Sequence, residues 1–305
     1  MKYLVCIAGP TAIGKTSLSI ALAQHFSTEI ISCDSRQFYK EMQIGTAVPS
    51  KEELNSVKHH FIQNCSIHDT YNVGQYEKEA LHKLDTLFQK YNLVVLVGGS
   101  GLYFDAVIKG LDYFPKVAPH IREQLSAQLQ KEGIVALQAQ LEYLDPKSFQ
   151  SIDIQNPHRV IRALEICMGT DKPYSYYKNR AKTPRNFTPI KVGLNAERSI
   201  IYKRIEQRVD LMIEEGLEEE ARKLHPHKHL NALQTVGYRE LFDYFDGKTT
   251  LDFAISEIKK NTRRFAKRQN TWFKKDMDIQ WFDFQTNKKS IIEYIEKNTG
   301  LKESS

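Results

Sequence analysis

The stretch Gly9-Pro10-Thr11-Ala12-Ile13-Gly14-Lys15-Thr16 fits the pattern GxxxxGK[ST], and the apolar run Tyr3-Leu4-Val5-Cys6-Ile7-Ala8 leads straight into it. This is the tightest constraint in the chain, because such a loop forms between a buried strand and the helix that follows. Residues 2–8 read as the strand, and 16–25 as a helix with Leu18, Ala21 and Leu22 on one side. In a loop of this kind backbone N–H groups converge on phosphate oxygens. Lys15 adds a point charge and Thr16 a hydroxyl for Mg²⁺. A chance glycine-rich turn is the bland alternative, and the strand before and helix after speak against it.

The unit recurs. Residues 29–33 read as a second short strand ending at Cys33-Asp34-Ser35-Arg36-Gln37, a helix is expected over 73–91, and "LVVLV" at 93–97 reads as a third strand before the turn Gly98-Gly99-Ser100. Repeated strand-loop-helix units with continuous apolar strands predict an α/β fold, a phosphate-loop-type parallel sheet covered by helices on both faces. Ligands of such a sheet sit at the C-terminal ends of its strands. The pattern then changes. From 119 to 169 only helical periodicity is visible, including a helix with Asn156 as N-cap, Pro157 at the first position and Gly169 as its stop. A polar stretch over 170–189 precedes strand-like 190–195. The expected division is therefore a core over 1–112, a helical insertion over 113–187, and the rest of the core with basic helices over 188–305. Long helices are expected over 198–224 and 250–275, and "KESS" reads as a polar tail.

Composition excludes several classes. Of 305 residues 41% are hydrophobic and 26% charged, and no run reaches the roughly 18 apolar residues of a membrane span. The first residues carry no signal-peptide pattern. Four cysteines stand far apart without CxxC pairing, and His59, His60, Cys65 and His68 match no standard ligand spacing, so buried thiols are expected rather than a metal site. A cytoplasmic protein without a membrane partner follows. The net charge of +6 permits nucleic-acid binding, and its distribution says more. Lys259, Lys260, Arg263, Arg264, Lys267, Arg268, Lys274 and Lys275 follow one another with no acid between, interleaved with Phe265, Trp272 and Phe273. That run reads as a polynucleotide surface, against the bland reading of a solvated helix face.

Most nucleoside-triphosphate enzymes with this loop close a later strand with aspartate, yet here "LVVLV" closes with Gly98-Gly99-Ser100. Asp34 instead follows the strand at 29–33, suited to hold Mg²⁺ through water or to act as a general base, unless it only caps a helix or makes an Asx turn. Ser100 either reaches the transferred group or caps the next helix. Arg204 and Arg208, at i and i+4, suit a diphosphate clamp or an ion-paired face, and Arg159 with Arg162 forms a similar pair. The absence of an NKxD segment argues against a GTPase and leaves a small-molecule kinase open.

Taken in order, "GPTAIGKT", "ISCDSRQFYKEMQIGTAVPS", "LVGGSGLYFDAVIKGL", "NPHRVIRALEI", "RIEQRVDLMIEEGLEEEARKL", "LQTVGYRELFDYFDG" and "TRRFAKRQNTWFK" resemble the bacterial-type tRNA dimethylallyltransferases, or isopentenyltransferases, across residues 4–281. The phosphate loop alone is widely shared, whereas DSxQxY, GGxGLY and AKRQxTW are specific. The resemblance implies transfer of the dimethylallyl group of dimethylallyl diphosphate to N6 of adenosine 37 in tRNAs reading codons that begin with U. The phosphates held by residues Gly9, Pro10, Thr11, Ala12, Ile13, Gly14, Lys15 and Thr16 would then be the leaving group, with Mg²⁺ on Thr16 as the only cofactor and Arg208 stabilising the charge that develops. It makes Asp34 the base and puts Ser100, where the family usually has threonine, near the reacting centre. It assigns tRNA contacts to Asp34, Ser35, Arg36, Gln37, Ser100, Arg122, Gln155, Asn156, Pro157, His158, Arg159, Lys267 and Arg268, and leaves "TVGYRE" at 235–240 as a further contact segment. The insertion would grip the anticodon stem-loop, and the enzyme would act as a monomer. A phosphate-loop kinase, an adenylate isopentenyltransferase and an RNA-binding protein with a relic nucleotide site are the alternatives.

Overall fold

The computed structural model describes residues 1–178 and 183–302; the middle of the polar stretch and the last three residues of the "KESS" tail lie outside the described residues. The chain forms two compact units, one of residues 1–109 with 185 onward and one of 110–184. The expected edges were 113 and 187. Arg185 belongs with the first unit because its guanidinium donates to the carbonyls of Ala106 (2.7 Å) and Val107 (2.8 Å) and pairs with Glu77, while Phe187 enters the core beside the sheet.

In the first unit the order is β1 (Tyr3–Ala8), α1 (Lys15–His25), β2 (Ile30–Ser32), α2 (Lys51–Ser56), β3 (His59–His60), α3 (Val73–Phe88), β4 (Leu93–Val97) and α4 (Gly101–Lys109). The second unit holds α5 (Pro119–Glu132), α6 (Ile134–Leu144), α7 (Pro146–Ser151), α8 (Pro157–Thr170) and α9 (Tyr174–Tyr177). The first unit resumes with β5 (Thr188–Asn195), α10 (Arg198–Glu214), α11 (Leu217–Leu224), α12 (Tyr238–Phe245), α13 (Leu251–Phe273), β6 (Gln280–Asp283) and α14 (Lys288–Thr299).

The strands form one parallel sheet in the order β3-β2-β4-β1-β5-β6. Alternation along β1 explains its two covered faces. Leu4, Cys6 and Ala8 point into a core shared with α3 and α4, and Val5 and Ile7 into one shared with α1 and α14. Because the sheet is parallel, the turns after β1, β2 and β4 all emerge at one edge. The glycine loop, the Cys33–Gln37 segment and the Gly98–Ser100 turn meet there.

Sequence periodicity missed α2, β3, α9, α12, β6 and α14; β3 and β6 are short strands at the two edges of the sheet, whereas α14 buries Ile291 and Ile295 at a helical spacing that was overlooked. It also joined α10 and α11 into one helix over 198–224. Gly216, at φ 100°, breaks that helix and turns Leu217, Ala221 and Leu224 into a third core with Met42, Tyr238 and Leu241. In the second unit Gly169 does not stop α8; the helix runs on to Thr170 and ends at Asp171 in the left-handed region. The glycine serves close packing, since a Cβ there would collide with the Val117 side chain. The expected start holds: Asn156 caps α8 by accepting the His158 amide, with Pro157 in the first turn. Leu125, Leu137, Leu141, Val160 and Leu164 form the core of this unit.

Candidate active site

The loop between β1 and α1 is shaped by three left-handed residues, Gly9 (φ 143°), Ala12 (φ 62°) and Gly14 (φ 109°). Only glycine fits at position 9, where a Cβ would stand 2.5 Å from the Leu194 carbonyl oxygen. The loop wraps one side of an open cavity of ≈ 510 Å³ that is also lined by Asp34, Gln37, Thr46, Gly98, Arg204 and Arg208. Thr11, Ala12, Ile13, Gly14, Lys15 and Thr16 all face it.

The cavity is strongly cationic. Lys15 Nζ donates to the Pro10 carbonyl at 2.7 Å; enclosure by the loop pushes its pKa down to about 8, Asp34 pulls it back up and Arg208 adds to the fall. Arg204 and Arg208 both turn toward the loop from α10, Arg204 Nε donating to the Ala12 carbonyl at 2.7 Å and Arg208 Nη1 to the Thr11 hydroxyl at 3.2 Å. Neither makes an ion pair among the described residues, so the ion-paired face considered from the sequence is not what forms. Burial lowers the Arg208 pKa while Asp34 raises it.

Asp34 does make an Asx turn, with Oδ1 accepting the Arg36 amide at 3.2 Å. Its Oδ2 has no hydrogen-bond partner among the described residues. Ser35 bonds to Ser100 twice, through its amide and its hydroxyl, each at 3.0 Å. The Ser100 side chain therefore faces the Asp34 segment instead of capping α4. Gln37 Nε2 donates to the carbonyls of Thr46 (3.1 Å) and Ala47 (2.8 Å). Arg36 turns elsewhere, its Nη1 holding the carbonyls of Asn231 and Ala232, and burial lowers its pKa.

No group of three His, Cys, Asp or Glu side chains among the described residues could hold a metal alone. Among the oxygen-bearing residues that line the cavity are Thr16 at the end of the loop and Asp34. Such a set suits Mg²⁺, which keeps several waters and draws other oxygens from a bound phosphate group.

Sequence reasoning missed Gln269. Buried on α13, it accepts the Thr11 amide at 2.8 Å and donates to the Gly99 carbonyl at 2.9 Å, tying the glycine loop to the turn after β4. At Gly99 a Cβ would collide with that amide. Only the "AKRQNTW" segment marked the neighbourhood, and no spacing rule reveals such a bridge.

The basic run on α13 is partly compensated, contrary to the sequence reading. Lys259 pairs with Asp210 and Arg263 with Glu206, both acids on α10, and Lys260 pairs with Glu257. Lys267 and Arg268 make no ion pair among the described residues, and Arg268 lies over the Phe265 ring at 5.7 Å. In the second unit Arg122 and Arg162 both pair with Glu165 at 3.1 Å, while Gln155, Asn156, Pro157, His158 and Arg159 gather at the start of α8.

A parallel α/β sheet with a glycine-rich loop opening on Asp34 and two arginines is the architecture of a group-transfer enzyme. Residues 37–276 match the family model described as IPP transferase. The chain is 61% identical to a tRNA dimethylallyltransferase of Flavobacterium johnsoniae over 98% of both chains, and 62% identical to one of Christiangramia forsetii over 97% of this chain and 98% of the other. Its fold matches the crystal structure of the full-length tRNA isopentenylpyrophosphate transferase of Bacillus halodurans with a TM-score of 0.73 at 37% identity, covering 98% and 96% of the two chains. A eukaryotic dimethylallyltransferase described as acting on tRNA shares the fold with a TM-score of 0.83 at 24% identity, covering 81% of that chain. The chain belongs to the IPP transferase family, that of the tRNA dimethylallyltransferases.

Proposed function

We propose that this enzyme transfers the dimethylallyl group from dimethylallyl diphosphate to N6 of adenosine 37 of tRNAs reading codons that begin with U, releasing diphosphate. What supports the reading is one cavity that joins a cationic phosphate loop to a carboxylate with a free oxygen. In the reaction the allylic C–O bond breaks, its electron pair leaves on diphosphate, and the N6 lone pair forms the new C–N bond. Lys15, Arg204, Arg208 and the loop amides hold the developing charge on the leaving group. Mg²⁺, held by the Thr16 hydroxyl, would neutralise part of the diphosphate charge. The N6 lone pair is delocalised into the adenine ring, so attack needs a base, and Asp34 Oδ2 takes the proton. Ser100, fixed by Ser35, stands beside that base.

The target adenine must leave the stacked anticodon loop to reach Asp34. Lys267 and Arg268, which make no ion pair among the described residues, bind tRNA phosphates, and the residues at the start of α8 make tRNA contacts of their own. No helix among the described residues is long and apolar enough to cross a membrane, and the four cysteines are free and buried. The reading makes the enzyme a cytoplasmic monomer.

The test offers dimethylallyl diphosphate and Mg²⁺ with unmodified tRNA, with AMP, or with no acceptor, and analyses nucleosides by mass spectrometry. Prenylated adenosine from tRNA alone supports the assignment. Product from AMP alone makes the enzyme an adenylate isopentenyltransferase, and no product here, with phosphorylation of a metabolite in a parallel reaction given ATP in place of the prenyl donor, makes it a kinase.

A further inference from the structure

The segment 42–49 forms a wall of the cavity through Thr46, Ala47, Val48 and Pro49, and it contains no regular secondary structure. Its backbone is nevertheless pinned. The Glu220 carboxylate on α11 accepts three consecutive amides, Gln43 at 3.0 Å, Ile44 at 2.8 Å and Gly45 at 3.0 Å, and its Oε1 also accepts the Tyr238 hydroxyl at 2.7 Å. Tyr238 is fully buried on α12, and its ring stands where a Cβ on Gly45 would have to be, at 2.6 Å. Four donors on one carboxylate is a strong anchor, because bonds to an ionised acceptor are shorter and about twice as strong as neutral ones.

The anchored segment in turn sets Gln37. Thr46 and Ala47 offer the two carbonyls that take both Gln37 amide protons, and the Thr46 hydroxyl ties back to Met42 at 2.6 Å. With Nε2 spent, the amide oxygen is the side-chain polar atom of this cavity-lining residue left without a partner among the described residues, an acceptor suited to an N–H donor such as an exocyclic amine. We infer that Glu220, with Tyr238, is a positioning residue that acts through the 43–47 backbone to aim Gln37 at the acceptor base. The inference rests on the proposed transfer to adenine for its kinetic consequence, whereas the anchoring itself does not. It also gives a task to the "EEGLEEEARKL" and "TVGYRE" segments, which meet at this carboxylate: the break at Gly216 sets α11 so that Glu220 reaches the segment.

The test measures Glu220→Gln by two independent readouts. In hydrogen exchange, the amides of Gln43, Ile44 and Gly45 should lose roughly tenfold or more of their protection. In kinetics, kcat/KM for tRNA should fall roughly tenfold while the affinity for inorganic diphosphate stays within about twofold. In the Gln37→Ala background Glu220→Gln should cost no more than about twofold further, since both changes act on one contact. Tyr238→Phe, which keeps the ring, should move every readout in the same direction by less and serves if Glu220→Gln does not fold. Unchanged amide protection overturns the anchor. Equal losses in the two backgrounds overturn the route through Gln37 and leave Glu220 a structural residue. If the wild-type protein makes no prenylated tRNA, the transfer reading fails while the exchange result still decides the anchor.

Discussion

The Ser100 hydroxyl accepts the amide of Ser35 at 3.0 Å and lies 3.0 Å from its hydroxyl, so the turn after β4 is clasped to the segment that carries Asp34. Removing that oxygen should act on both packing and chemistry. Ser100→Ala is expected to cost about 1–3 kcal/mol in urea denaturation, since it removes both bonds to Ser35 and strands the Ser35 amide, and to lower kcat with little change in donor affinity. Ser100→Thr keeps the hydroxyl and should keep most of the activity. Equal kcat for Ser100→Ala and wild type would remove Ser100 from the reacting centre.

Gln269 satisfies two backbone partners at once, the part-buried Thr11 amide and the buried Gly99 carbonyl. Gln269→Met preserves its length and leaves the Thr11 amide and the Gly99 carbonyl unpaired. The expected loss is about 2–6 kcal/mol, at about 1–3 kcal/mol for each stranded group, read from denaturant midpoints. Donor affinity should fall with it, because the Thr11 hydroxyl is the contact that Arg208 makes to the loop.

The Lys15 pKa of about 8 lies below the ordinary lysine value because the loop encloses it. A depressed lysine binds its proton more weakly folded than unfolded. Its burden on stability is therefore complete below about 8 and is relieved as pH rises toward the unfolded value. Anion binding runs the other way, since it needs the ammonium. Affinity for inorganic diphosphate, measured by calorimetry, should weaken as pH rises through about 8. Lys15→Met should bind more weakly at neutral pH and lose that step.

Charge on α13 is unequal in its availability. Lys267→Ala and Arg268→Ala should each weaken tRNA binding and reduce the slope of log affinity against log salt by about one. Arg263→Ala and Lys259→Ala remove charges already paired with Glu206 and Asp210, and should change the slope less. Filter binding across a salt series separates the two classes.

The core of this fold is legible because its signals are local. A buried strand running into GPTAIGKT, and LVVLV running into a glycine turn, need no partner to be read. Asn156 and Pro157 likewise announce α8 through cap chemistry. What escaped depends on residues far apart in the chain. Gly169 looks like a helix stop until Val117 is seen against it, and the acids that neutralise Lys259 and Arg263 stand on another helix. Gln269 and Glu220 act on backbone atoms 170 or more residues away, and no periodicity encodes such a pairing. Arg204 and Arg208 were visible as a spaced pair, but only the placement of α10 decides that they face the loop.

The central claim is that the phosphates in the loop are a leaving group and the transferred unit is carbon. The most direct test follows diphosphate release and prenyl-adenosine formation in one reaction containing the enzyme, Mg²⁺, dimethylallyl diphosphate and unmodified tRNA, with no ATP. The account predicts equal amounts of both products, and neither when tRNA is omitted. Diphosphate without prenylated tRNA, or turnover that requires ATP, would contradict it.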